Sequence, residues 1–332
     1  MCPNLFQHAT SELSQDAVLC WLLSWADTQY ANNPLHTVGK ALLRLIYVRA
    51  GLELPEFTSI AVEKQKGHID ILCVVNKELA IVIEDKVGTK QHSGQLERYR
   101  LHVTTELGYA PNKVILVYIQ TGDQSDDMDV IKSGYMLISR ADLLEIFESE
   151  EAEAAKARSD ILFDFSGHLR RIEDTVQSYR TTPPSQWPWE AWKGFYSRLK
   201  AELGDGHWGY VANPSGGFLG YWWHFKGDDN FSVYLQLEEQ KLCFKIWVRD
   251  AQRRGELREY WHEKIMAAGK SSVLLVKRPN RFGSGEYMTV GVLATDYRLT
   301  GHDGLLDMDK TPELLRSAQV IIDQTTCTMR GF

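Results

Sequence analysis

Apolar positions fall into short continuous runs and longer periodic ones, and their order predicts the elements. Ile69–Val75 and Leu79–Val87 are rich in Ile, Val and Leu and are separated by Asn76-Lys77-Glu78, which predicts two strands joined by a tight turn. Upstream, Thr10–Ala26 carries a broad apolar face that includes Leu19, Trp21, Leu22 and Leu23. It predicts a first helix capped by Thr10 or Ser11. After a loop at Asn32-Asn33-Pro34, a second helix is expected over Val38–Ala50, ended by Gly51. Phe57–Glu63 alternates as a strand and leads through Lys64-Gln65-Lys66-Gly67 into the hairpin. Downstream, Leu96, Tyr99, Val103 and Leu107 place a helix after Gly94, Lys113–Gln120 and Tyr135–Ser139 read as strands, and Ala141–Glu150 opens another helix. This order predicts an α/β N-terminal domain with a central mixed β-sheet flanked by helices.

The pattern then changes character. Ser149–Ala157 is charged and alanine-rich, Ile161–Tyr179 continues as helix, and Thr181-Thr182-Pro183-Pro184 reads as a linker. Domains are therefore expected at 1–180 and 185–332. Eight of the ten tryptophans follow the linker. A helix at Trp189–Leu203 precedes short aromatic strands at Gly206–Val211, Gly220–Phe225, Phe231–Leu237 and Leu242–Val248. Arg253–Ala268 (helix), Ser272–Lys277 and Tyr287–Ala294 (strands) and Pro312–Asp323 (helix) complete an α+β domain with an antiparallel sheet. Aromatic residues in such strands either fill a core or stack nucleobases. Lys277, Arg278 and Arg281, around a loop with Gly283 and Gly285, either grip phosphates or form an exposed hairpin tip. The domain is a candidate for substrate or partner recognition.

Charge in the first hairpin changes the picture. Asp70 lies near the start of one apolar strand, and Glu84 and Lys86 near the end of the next. Such charges are costly unless paired, solvated or bound to a cation. Glu84 and Lys86 are two apart and share a strand face, and hairpin pairing brings Asp70 to the same edge. Two carboxylates beside one ammonium suit metal-assisted phosphodiester hydrolysis, because Mg²⁺ takes oxygen ligands and commonly only one or two protein carboxylates.

An Asp on one strand, E-x-K on the next and a helix carrying Gln95 and Tyr99 resemble the PD-(D/E)XK nuclease superfamily, and most closely a bacterial branch of it. The resemblance covers roughly the first 150 residues. It departs from the family in placing His68-Ile69 where a Pro precedes the Asp. It implies a restriction-endonuclease-like fold, with Asp70 and Glu84 as metal ligands and Lys86 as the catalytic lysine. The backbone carbonyl of Asp85 would complete the metal shell, and Gln95 and Tyr99 would line the site. Mg²⁺ (or Mn²⁺) is the implied cofactor and DNA the implied substrate. Glu12 has two readings, a further site acid on the first helix or helix-dipole compensation together with Asp16. Gln65 and Lys66 are turn residues or lie near the scissile phosphate. Lys90, His92, Arg98 and Arg100 make the region beside the site basic. Arg44 and Arg49 are expected to be solvated.

Composition narrows the classes. The chain of 332 residues is long enough for two domains, and 44% hydrophobic with 24% charged residues is ordinary for a globular protein. Cys2, Cys20, Cys73, Cys243 and Cys327 are scattered, which points to free thiols in the cytoplasm, with no zinc site and no disulfide framework. No signal peptide and no membrane span are expected. A net charge of −7 argues against a broadly basic DNA-coating protein and leaves room for a nuclease with local basic patches. The competing class is a non-cleaving nucleic-acid or protein-binding module on the same fold. A third is a structural protein with no nucleic-acid partner. Cutting both strands of a duplex calls for two sites, which makes a homodimer attractive.

Overall fold

The computed structural model describes residues 3–67, 69–88, 94–213 and 216–327. His68, Lys90 and His92, named above, lie outside them, as does Cys2. Two compact units divide at Asp174–Thr175.

The N-terminal unit comprises α1 (Glu12–Ser24), α2 (Pro34–Arg49), β1 (Ile60–Lys66), β2 (Ile69–Val75), β3 (Leu79–Lys86), α3 (Gln95–Thr105), β4 (Val114–Gln120), α4 (Met128–Lys132), β5 (Met136–Ser139), α5 (Arg140–Phe147), α6 (Glu150–Lys156) and most of α7 (Asp160–Gln177). Its five strands lie in sequence order. β1, β2 and β3 pair antiparallel, and β3, β4 and β5 pair parallel. β3 is thus the middle strand, and the sheet is mixed as expected. One face packs Ile71, Cys73, Ile81 and Ile83 against the apolar sides of α1, α2 and α7. The other face packs Leu72, Ala80 and Val82 against Tyr99 and Val103 of α3.

Local chemistry moves several expected boundaries. α2 begins at Pro34, four residues before the expected Val38, because the Asn33 side chain accepts from Leu35 N and Pro34 needs no donor in the first turn. β1 is displaced to Ile60–Lys66, so Lys64 and Lys66 lie in a strand and the turn passes through Gly67. Phe57 is buried without being in that strand. The β2–β3 turn sets Asn76 and Lys77 at φ 53° and 59°. The Asn76 side chain fastens it to the chain before β1, accepting from Thr58 N and Ser59 N and donating to Glu56 O. Arg49 is exposed, as expected, and donates to the Asp142 carboxylate and to the Leu137 carbonyl.

In the second unit, α8 (Trp189–Leu203) precedes β6 (His207–Val211), β7 (Phe218–Gly227), β8 (Phe231–Glu238) and β9 (Lys241–Val248). α9 (Arg254–Lys270), β10 (Val276–Lys277), β11 (Tyr287–Leu293) and α10 (Lys310–Thr326) follow. The six strands run β10-β11-β9-β8-β7-β6, each pair antiparallel. Residues from α8, α9 and α10 share one apolar core with the inward side chains of this sheet, among them Trp192, Phe195, Tyr221, Trp223 and Trp261. The expected strand at Ser272–Lys277 is reduced to Val276–Lys277, and Val273 and Leu275 are exposed. No helix among the described residues is long and apolar enough to cross a membrane. Cys20, Cys73, Cys243 and Cys327 are free thiols.

Candidate active site

Hairpin register assembles the site. Ile71 pairs with Ile83, so the next positions along the two strands, Asp70 and Glu84, stand opposite each other. The Asp70 carboxylate accepts from Asp85 N at 3.0 Å, which fixes its orientation along β3. Lys86 Nζ lies 2.6 Å from Glu84 Oε1, 3.5 Å from Glu12 Oε2 and 4.0 Å from Asp70 Oδ2. It also donates to the Asp85 carbonyl at 3.3 Å. α3 begins at Gln95, after Gly94 in the left-handed conformation. Gln95 and Tyr99, four apart, face the site together. Gln95 Nε2 donates to Glu84 Oε1 at 2.7 Å and to the Tyr99 hydroxyl at 2.6 Å. Asp70, Glu84, Lys86, Gln95, Tyr99 and Glu12 are thus brought to one place, Glu12 reaching Lys86 from the first turn of α1.

Burial makes this cluster electrostatically tense. Glu84 and Asp85 are fully buried and Lys86 is 6% exposed. Desolvation, reinforced by the Asp70 charge and opposed by Lys86, pushes the Glu84 carboxyl up to about 8. For Lys86, burial works against the ammonium. The hydrogen bond and charge of Glu84, followed by Asp70 and Glu12, outweigh it and hold Lys86 above its ordinary value. Three carboxylates around one ammonium leave an excess of negative charge. Glu84 Oε2 is buried with no hydrogen-bond partner, an acceptor in want of a cation or donor. Among the described residues no group of three or more His, Cys, Asp or Glu side chains is placed to hold a metal. The oxygen set is instead the Asp70 and Glu84 carboxylates with the Asp85 carbonyl, a hard-donor set suited to Mg²⁺, which keeps several of its waters. The residues fit a divalent cation.

The opposite face of β3 carries a polar network that the sequence reading missed. Gln15 Nε2 donates to Asp85 Oδ1 at 2.6 Å, and Thr121 Oγ1 donates to Gln15 Oε1 at 2.7 Å. Thr121 N donates to the Lys86 carbonyl at 3.1 Å. Buried Arg140 donates to the Thr121 carbonyl, holds both Asp123 carboxylate oxygens at 3.0 Å and meets Glu173 at 2.8 Å. Burial pushes Asp16 up to about 6, with Asp70 adding to the effect and Lys64 opposing it. Burial likewise holds the Asp85 carboxyl well above its ordinary value, although the Gln15 hydrogen bond opposes it. Gln15 had one legible signal: it shares a buried helix side with Val18, Leu19 and Leu22. Of the basic residues beside the site, Arg100 pairs with Glu97 at 2.8 Å. Lys66 likewise pairs with Glu63 at 2.7 Å.

Residues 3–162 match the profile of a family in the PD-(D/E)XK nuclease superfamily. The N-terminal unit belongs to the PD-(D/E)XK nuclease superfamily. Membership suggests nuclease activity on nucleic acid, and nucleases of this superfamily generally use divalent metals. Searches among curated proteins and among solved structures return no match. The family match ends before the C-terminal unit, so that unit carries no assignment.

Proposed function

We propose that the N-terminal unit is a Mg²⁺- or Mn²⁺-dependent nuclease that hydrolyses phosphodiester bonds of DNA. The observation that carries this reading is the buried Lys86 ammonium bracketed by Glu84 at 2.6 Å, Glu12 at 3.5 Å and Asp70 at 4.0 Å on the middle strand of the sheet. Asp70, Glu84 and the Asp85 carbonyl would hold the cation, which supplies a bound water of lowered pKa and positive charge beside the phosphate. Gln95 restrains Glu84 Oε1 and leaves Oε2 free. Lys86 keeps its proton at Nζ and donates hydrogen bonds that orient the attacking water and offset charge on the phosphoryl oxygens. Water oxygen forms the new bond to phosphorus as the bond to one ester oxygen breaks; the attacking water gives up a proton to solvent, and the leaving oxygen takes one up from solvent. Tyr99 holds Gln95 in place. We further propose that the protein acts in the cytoplasm, and that a homodimer would serve cleavage of both duplex strands.

The test is incubation of linear, circular and single-stranded DNA with purified protein, with Mg²⁺, with Mn²⁺ and with chelator, beside Asp70→Asn. Metal-dependent cutting that Asp70→Asn abolishes is the expected result. Tight, metal-independent binding without cutting would move the unit to the class of non-cleaving modules.

A further inference from the structure

The C-terminal sheet has one face turned away from its own helices, buried at Tyr234, Gln236 and Cys243 and exposed along a rim that includes Lys241, Lys277 and Tyr287. Along β9, Leu242, Phe244, Ile246 and Val248 join the core shared with α8, α9 and α10. By the two-residue period, Lys241, Cys243, Lys245 and Trp247 lie on the opposite face. Register places Glu238, Gln236 and Tyr234 beside them on β8, and Val292, Thr289 and Tyr287 on β11. A groove of about 430 Å³ lies on this face, lined by Cys243, Thr289 and Val292 and by the chain that follows β10.

The charge of this groove is opposite to that of the chain. Five cations, Lys241, Lys277, Arg278, Arg281 and Arg298, line it against two carboxylates, Glu238 and Asp296, in a chain of net charge −7. Asp296 neutralises Arg298 at 2.7 Å, and Glu238 is taken by Lys245 at 3.5 Å and Gln236 at 3.0 Å. Lys241, Lys277, Arg278 and Arg281 are exposed, and none has an ion-pair partner among the described residues. Four uncompensated cations around one concavity repel one another, and a polyanion relieves that repulsion. The basic loop is also held in shape. The Arg278 guanidinium lies 4.5 Å over the Phe282 ring, Arg258 lies at the same distance, and Arg258 donates to Gly283 O at 2.7 Å.

At the far end of the face, Trp247 and Tyr287 are cross-strand partners, and Tyr287 is 63% exposed. Arg249 lies 5.7 Å from the Trp247 ring. Lys241 to Trp247 spans about 20 Å at roughly 3.3 Å per residue, enough for about six nucleotides stacked roughly 3.4 Å apart. Flat aromatic surface at the end of a cationic groove suits a polymer with charged backbone and accessible bases, as single strands have and duplexes do not.

We propose that this face binds single-stranded nucleic acid, with the groove cations on successive phosphates and Trp247 and Tyr287 stacked on bases. That the polyanion is nucleic acid rests on the nuclease reading of the N-terminal unit. The test uses the full chain in chelator, with fluorescence anisotropy of a short labelled oligothymidine across a range of salt. Lys277→Ala/Arg281→Ala is compared with Lys193→Ala/Lys270→Ala, which removes two cations from α8 and α9 on the helical layer. The groove pair is expected to bind about tenfold more weakly, with a log–log salt slope shallower by about 1.4, at roughly 0.7 per lost phosphate contact. The helical-layer pair should match the parent chain. Tyr287→Ala should weaken binding about tenfold without changing the slope. Equal binding by the two double variants, tighter binding of duplex than of single strand, or no binding by the parent chain would each overturn the proposal. Cleavage assayed on the same preparations separates the two readings. Cutting with binding indifferent to the groove overturns this inference alone. Groove-dependent binding without cutting supports it and overturns the nuclease reading.

Discussion

β3 and β9 are both inner strands of their sheets, and they treat charge in opposite ways. In β9 every charged residue falls on the face turned away from the helices, and the positions turned to the core are Leu242, Phe244, Ile246 and Val248. Its sequence follows the alternation that packing requires. β3 ends in three consecutive charged residues, Glu84, Asp85 and Lys86, all buried. Packing does not call for them, and desolvation penalises each. A strand that obeys the packing rule reveals its fold and little of its chemistry, whereas one that breaks the rule reveals the place where chemistry is done.

If that contrast is sound, substitution should separate stability from activity. The largest effect on stability is expected in the aromatic core. Trp223 is fully buried and stacked 5.0 Å from Tyr221, so Trp223→Ala should cost about 3–5 kcal/mol in denaturant unfolding of the C-terminal unit. A smaller loss would mean that the sheet tolerates a void there. Next comes Gly122, where an added Cβ would sit 1.7 Å from Val87 O. Gly122→Ala should cost about 2–3 kcal/mol and also weaken cleavage, because Thr121 before it binds the Lys86 carbonyl. Unchanged melting would contradict the close approach.

Gln15→Ala is expected to act the other way round. With the Asp85 carboxyl deprived of its donor, cleavage should fall about ten- to a hundredfold with a smaller change in melting, and titration with Mg²⁺ would show whether metal affinity carries the loss. The smallest effect concerns Asp142. Burial raises its carboxyl, but hydrogen bonds from the Ser139 side chain and backbone, and then Arg49, pull it below its ordinary value of 3.8. A depressed carboxylate contributes stability above its unfolded pKa and loses it as pH falls through the folded one. Asp142→Ala should therefore cost about 1 kcal/mol near neutral pH, and the difference from the parent chain should shrink below about pH 4. A gap that widens in acid would refute that assignment.

The same contrast explains what could be read in advance. Asp70, Glu84 and Lys86 were legible because they interrupt apolar runs, and Gln95 and Tyr99 because they sit four apart on the next helix. The order of strands and helices along the N-terminal unit followed from run lengths and turn residues, and the order of strands within the sheet did not. Gln15, Thr121 and Arg140 were not legible as a network, since it forms between residues 70 and 106 positions apart. α2 began earlier than expected because Asn33-Pro34 serves equally as loop and as helix start. Val273 and Leu275 read as strand residues, yet the ladder to β11 reaches only Val276 and Lys277. Lys277, Arg278 and Arg281 were legible as a basic loop, whereas their meeting with Lys241 in one groove was not, because it depends on the pairing of β9, β11 and β10.

The most direct test of the central claim is DNA cleavage by Lys86→Ala at saturating Mg²⁺, with thermal melting measured on the same sample. A loss of about a thousandfold with the fold intact is the expected result. Cutting within about tenfold of the parent chain would show that the buried ammonium of β3 does not serve the chemistry.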